Sequence, residues 1–135
     1  MDFGLSEQQE MLKKTARDFF KTELPKTLVK ELAKEPKGYQ PEMWKKMADL
    51  GWVGLVLPEQ YGGSDASFLD LTILLEEMGR ACAPGPFLST VVLGALTVLE
   101  LGTEEQKKAI LPKVAKGEVI LTMAIAEQNA IYKPR

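Results

Sequence analysis

Few residues in this chain are of the types that do chemistry, and their spacing argues against most of what they could do. Glu76-Glu77 and Glu104-Glu105 are adjacent carboxylates, the residue type for general acid and base work. Neighbours on a helix point about 100° apart, however, so neither pair can share one substrate. Both pairs read as solvated helix faces. Cys82, the one thiol, closes an apolar stripe and has no histidine in the chain to activate it, so it reads as a buried structural residue. Gly62-Gly63 lacks the glycine-rich context of a phosphate loop and reads as a plain turn. The segment Ala83-Pro84-Gly85-Pro86-Phe87 leads into a helix whose first N–H groups could meet an anion; an ordinary helix start is the competing reading. Glu127 follows a β-branched run, and strand ends often carry sites, although an exposed polar terminus reads equally well. No residue is assigned a catalytic role.

Composition narrows the function classes. A chain of 135 residues suits one domain that buries most of its apolar surface. The balance of 45% apolar and 27% charged residues is that of a globular protein. A net charge of −2 gives no basic field, so no nucleic acid partner is expected. The acidic, polar start MDFGLSEQQE reads as neither a signal nor a transit peptide. The longest apolar run, Val91 to Leu101, is broken by Gly94, Thr97 and Glu100 and is too short to span a bilayer. A single cysteine excludes an internal disulfide and fits a reducing compartment, so a soluble, cytoplasmic protein is expected. The absence of histidine removes the commonest metal ligand, and no metal site is expected.

The elements that would position any site are helical. Ser67 to Ala83 carries Leu71, Leu74, Leu75, Met78 and Cys82 at helical spacing, widened by Phe68, Leu69, Ile73 and Ala81. Such a helix should be covered on several sides, which predicts a central helix with the others laid against it. Ser67/Asp70, Ser6/Gln9 and Thr103/Gln106 match the capping-box pattern. They start the central helix, a helix over 7–22 and one through Val114. Pro112 predicts a kink or break near Leu111. Lys26 to Lys34 reads as a short helix, and Pro41 opens another that Gly51 closes. Residues 51–67 read as an extended, buried connector. Leu88, Val92, Ala95, Leu96 and Leu99 mark the core face of a helix over 87–101. Trp44 and Trp52 are expected in the core. Val119 to Ala126 is short and β-branched and reads as a strand, yet the chain supplies nothing to pair with it. The expected fold is all-α: an up-and-down bundle of about six helices with a short terminal strand-like segment.

The motifs, taken in order, resemble the amino-terminal helical domain of the acyl-CoA dehydrogenase family. MDFGLSEQQEMLKKTARDFF is similar to the family's opening helix, and WKKMADLGWVGLVLPEQYGG to its P-E-x-Y-G-G signature. LLEEMGRACAPGPFLSTVVLGALTVLELGTEEQKKAILPKVAKGE resembles its E-E-hydrophobic-G-R and L-G-T-E-E-Q-K elements, and LTMAIAE the start of its flavin-contacting strand. The resemblance implies a domain over residues 1–117, with 118–135 as the start of a β domain and a divergent tail. It implies FAD as cofactor and oxidation of acyl-CoA thioesters to trans-2-enoyl-CoA. In the family a glutamate removes the α-proton, flavin takes the β-hydrogen as hydride, and an electron-transferring flavoprotein accepts the electrons.

By the same resemblance, Met123, Ala124, Ile125, Ala126 and Glu127 would contact the flavin, and Pro86, Ser89 and Leu93 would line the acyl pocket. Four departures from the family pattern stand out: Ala126 replaces a usual hydroxyl residue, Gln128 a usual proline, the usual G-S-D is missing, and IYKPR resembles nothing in the family. The catalytic base is expected outside this chain. Alone, the chain is expected to be inactive, to retain no FAD, and to form homo- or hetero-oligomers. The alternative is a non-catalytic helical module that pairs with itself or with a dehydrogenase-like subunit.

Overall fold

A computed structural model describes residues 4–125. Its helices are α1 (Glu7–Glu23), α2 (Lys26–Leu32), α3 (Pro41–Asp49), α4 (Phe68–Arg80), α5 (Leu96–Leu101) and α6 (Glu104–Ala115). A 3₁₀ turn, Glu59–Tyr61, precedes α4, and a π-helical segment, Leu88–Ala95, runs directly into α5. The described residues contain no strand, so the fold is all-α as expected. All three capping boxes form. Helix α6 runs through Pro112 without a break.

The pairing of α1 with α4 frames the molecule. Gln9 belongs to the α1 capping box and also donates from Nε2 to Asp70 Oδ1 of the α4 box at 3.0 Å. Further along both helices, Arg17 donates from Nε and Nη2 to the two carboxylate oxygens of Glu77 at 3.0 and 2.7 Å. The contacts advance together along the sequence, so the two helices lie side by side with the same polarity. Lys13 to Glu76, at 3.5 Å with half of the glutamate side chain exposed, adds little by comparison.

Glu77 corrects the expectation of a solvated acidic face. It is 1% exposed, and Arg80 Nε lies 3.3 Å from its second oxygen. The sequence showed an acidic pair but not the arginine sixty positions away that makes burying one member tolerable. The Arg17 hydrogen bonds hold the Glu77 carboxyl below the usual glutamate range, against the opposing effect of burial.

Other expectations about α4 are also corrected. Leu71, Ile73, Leu74 and Met78 are buried, but Phe68 and Leu69 are more than half exposed. Rather than serving as a hub for every helix, α4 lies against α1, while α6 packs on the 3₁₀ turn, the π segment and α5. Cys82 is exposed. Its N–H donates to Gly79 O and that of Ala83 to Met78 O, a Schellman end to the helix. This places Cys82 in the left-handed region at φ 52° and turns its side chain outward.

The core joins these groups. Phe19 and Phe20 pack on Trp52, with ring centroids 5.0 and 5.7 Å away. Trp44 packs edge-on to Phe87 at 6.5 Å. The indole N–H of Trp44 donates to Gly117 O at 2.9 Å, which allows a polar-tipped ring to be buried. Both tryptophans are core residues, as expected. Gly117, at φ 72°, sits where an added Cβ would lie 2.7 Å from Ala48 Cβ, so backbone and packing both require glycine. Residues 51–67 are buried at Trp52, Val53 and Leu57, but they run as successive turns rather than extended chain, with Leu55 N–H on Trp52 O and Leu57 N–H on Gly54 O.

Replacing Glu77 tests the frame. In the unfolded chain Glu77 takes up its proton in the ordinary glutamate range, whereas the folded chain keeps it ionised to lower pH. Its contribution is therefore fully present above that range, begins to fall as pH enters it, and is lost once pH has dropped through the lower value of the folded state. Glu77→Gln should cost about 2 kcal/mol near neutrality, and the gap to the native chain should close as urea unfolding is repeated toward about pH 3. A gap independent of pH would show that the charge is not the source.

Candidate functional site

The π segment takes shape from what precedes it. Helix α4 ends at Arg80 and Pro84 and Pro86 prevent its continuation. The chain turns until Phe87, 2% exposed, enters the core beside Trp44. From Leu88 the helix is wider than an α-helix, and Leu96 N–H donates to Val91 O, five residues back. Such widened stretches are rare and occur frequently at functional sites. The buried side of this stretch is Phe87, Thr90, Val91, Gly94 and Ala95. The stripe expected in the core is shifted by about one residue. Leu88 is 55% exposed, and Val92, Leu96 and Leu99 are half-buried; of that stripe Ala95 alone is fully enclosed.

Thr90 fastens the last described segment to the π segment. Its hydroxyl, fully buried, accepts from Leu121 N–H at 3.2 Å and donates to Leu121 O at 3.3 Å. One side chain thus performs the exchange that a neighbouring strand would have supplied. Gly94 makes the approach feasible, because a Cβ there would lie 2.3 Å from Leu121 Cβ. The expected strand is therefore corrected: residues 119–125 form no ladder with any described residue. They nevertheless keep a strand's alternation, with Val119, Leu121 and Met123 half-buried and Ile120, Thr122 and Ala124 exposed.

The sequence-predicted residues fall around this bracket. Pro86, Ser89 and Leu93 are half-buried. Ser89 Oγ donates to Pro86 O at 3.0 Å, and Leu93 O accepts from Thr97 Oγ1 at 2.6 Å. Met123 is half-buried, while Ala124 and Ile125 are exposed. Ala126 and Glu127 lie outside the described residues. Sequence reasoning missed Thr90, Gly94 and Leu121, although a threonine and a glycine four apart inside an apolar run were the available signal.

Chemically the two segments that form this face are neutral, and charge borders them only at Ile120, beside Lys45, Asp49, Lys116 and Glu118. Between Pro86 and Leu99, and from Val119 to Ile125, there is no ionisable side chain. No group of three or more potential metal ligands exists among the described residues. The backbone groups of residues 122–125 make no hydrogen bond with any described residue. Such a surface can wall an apolar chain and offer main-chain donors and acceptors; it cannot itself move a proton.

Comparison with known proteins follows the same outline. Residues 6–118 match the family model described as "Acyl-CoA dehydrogenase, N-terminal domain". Acryloyl-CoA reductase (NADH) of Anaerotignum propionicum is 37% identical over 131 residues, covering 96% of this chain and 33% of that protein. Among solved structures, the ChsE4-ChsE5 complex from Mycobacterium tuberculosis superposes with a TM-score of 0.80 at 33% identity, over 96% of this chain and 33% of that one. An acyl-CoA dehydrogenase from Bacillus anthracis complexed with FAD superposes with a TM-score of 0.82 at 29% identity, over 93% of this chain and 22% of that one. The chain thus spans about one third of the length of the first of these relatives.

Thr90→Val keeps the shape of the side chain and removes both bonds to Leu121. We expect a loss of about 1–3 kcal/mol, the cost of leaving buried groups unpaired, and loss of hydrogen-exchange protection at the Leu121 amide with far-UV circular dichroism unchanged. Protection that survives the substitution would show that the segment is held by something other than Thr90.

Proposed function

The chain belongs to the acyl-CoA dehydrogenase family, and on that premise we propose that it is the amino-terminal domain of an FAD-dependent enzyme oxidising acyl-CoA thioesters to trans-2-enoyl-CoA. The observation that carries the reading is the Thr90–Leu121 bracket, which sets an extended segment with unused backbone groups beside a neutral, half-open helical face. Pro86, Ser89 and Leu93 line the acyl tail. The absence of charge there suits a chain of methylenes, whose burial stabilises binding by about 0.8 kcal/mol each.

Met123, Ala124 and Ile125, continued by Ala126 and Glu127, form the flavin-contacting edge. The residues present fit that group: the backbone of 122–125 has no partner among the described residues, and no charged side chain stands in the way from Val119 to Ile125. FAD supplies the two-electron oxidation when bound; the chain's own share is to exclude water and orient, which raises the basicity of a carboxylate brought from elsewhere. In this reading residues 1–117 form the helical domain and 118 onward starts the next. An electron-transferring flavoprotein is the electron acceptor.

A second reading, a non-catalytic helical module pairing with itself or with a dehydrogenase-like subunit, draws on the exposed apolar side chains of Leu88, Leu101, Ile120 and Ile125. Reading the coding DNA past Arg135 separates the two, since a continuing dehydrogenase frame supports the first and an immediate stop the second. For the purified 135-residue chain we expect no flavin absorbance and, in light scattering, dimers or larger species. Stoichiometric bound FAD would overturn the division of the site between this chain and further domains, and a monodisperse monomer at high concentration would remove the oligomer.

A further inference from the structure

A second concavity lies between the C-terminal end of α1, helix α2 and the end of α4. It encloses about 510 Å³, within the range of roughly 300–1,000 Å³ typical of small-molecule sites. Phe20 and Leu24, both buried, and half-buried Val29 and Ala81 make its walls apolar. Its rim is cationic: Lys21, Lys26 and Lys30 are exposed, and none has a carboxylate partner among the described residues. Arg17 and Arg80 complete the rim. The one acid in the lining, Glu77, is already held by those two arginines, so it does not cancel the field of the three lysines. The two arginines are taken up by Glu77 and, for Arg80, also by Glu76, so the three lysines are the groove's uncompensated charge, in a chain whose net charge is −2.

We propose that this groove binds a single-chain amphiphilic anion, a free medium-chain fatty carboxylate, with its alkyl chain on Pro25, Val29 and Ala81 over a floor of Phe20 and Leu24 and its carboxylate among Lys21, Lys26 and Lys30. The pattern asks for an apolar body and an anionic head together. An uncharged alkyl chain would leave the lysines unused, and a small inorganic anion would leave the apolar walls wet. A partner helix fits less well, since a helix about 10 Å across would fill this volume with little more than one turn. The lysine stems extend the apolar wall toward the head group. The site is separate from the Thr90–Leu121 face, and it stands or falls without reference to acyl-CoA or FAD.

Cys82 provides a built-in reporter, being exposed and part of the groove lining. The chain is treated with N-ethylmaleimide alone and with decanoate, decanol or decyltrimethylammonium below their micelle thresholds, and binding is measured in parallel by calorimetry. Decanoate should slow alkylation of Cys82 and bind at least about tenfold more tightly than the other two. The double variant Lys26→Glu with Lys30→Glu, both on exposed positions, should weaken decanoate binding about tenfold or more with circular dichroism unchanged.

Equal binding of decanoate and decanol, or no effect of the charge reversal, would overturn the proposal. So would a complete lack of protection and heat. A Cys82 that is already unreactive without ligand in a longer product of the same gene would assign the groove to a covering polypeptide and also overturn it.

Discussion

A carboxylate taken out of water on α4 sets the terms for the rest of the molecule. Burying an ion costs several kcal/mol unless its partners are well placed, and Glu77 is 1% exposed. Its compensation comes from the planar fork of Arg17, which meets both oxygens at once. That geometry exists only when α1 lies beside α4 in one register. A slip of one turn, about 5.4 Å, would break the Arg17–Glu77 pair and the Gln9–Asp70 bond together. With the register fixed, Phe19 and Phe20 reach Trp52, and the turns of 51–67 close over them. Exposed pairs such as Lys46–Glu23, 2.6 Å apart, hold nothing comparable, because water competes for both partners.

The same arrangement separates two surfaces of opposite electrostatic kind. The π segment and residues 119–125 themselves carry no ionisable side chain, and their polar groups are hydroxyls and main chain, that of 122–125 without a partner among the described residues; Lys45, Asp49, Lys116 and Glu118 come near only at Ile120. At the far end of the α1–α4 pair the arginines that satisfy Glu77 stand beside three lysines that have no carboxylate partner among the described residues. A neutral wall suits groups whose reactivity must be governed by neighbours. A cationic rim over apolar walls suits an anion with a hydrocarbon body.

Much of this was legible in local patterns. The capping boxes, the proline and glycine stops and the helical spacing each act within a few residues, so the helices of the all-α fold could be read directly, with ends within a few positions. Trp44 and Trp52 were legible as core for the same reason. The extended character of residues 119–125 also followed from β-branching and alternation, although its pairing did not. The family resemblance arose from many weak motifs in a fixed order, which is information about the whole chain that no single spacing contains.

What only the tertiary structure decided were features that depend on distant partners. Glu77 is buried because Arg17 arrives from another helix, and nothing near position 76 announces it. Cys82 faces outward because a Schellman turn places it in the left-handed region, overriding its apolar neighbours. Leu88 leaves the core and Val92 moves to its edge because a π register shifts the buried side toward Thr90 and Gly94. Leu121 is fixed by a hydroxyl thirty-one residues back. The amino-acid sequence determined where helices begin and end, because those preferences are local. Which charge could be buried, and which face left open, was settled by groups that meet only after the chain has folded.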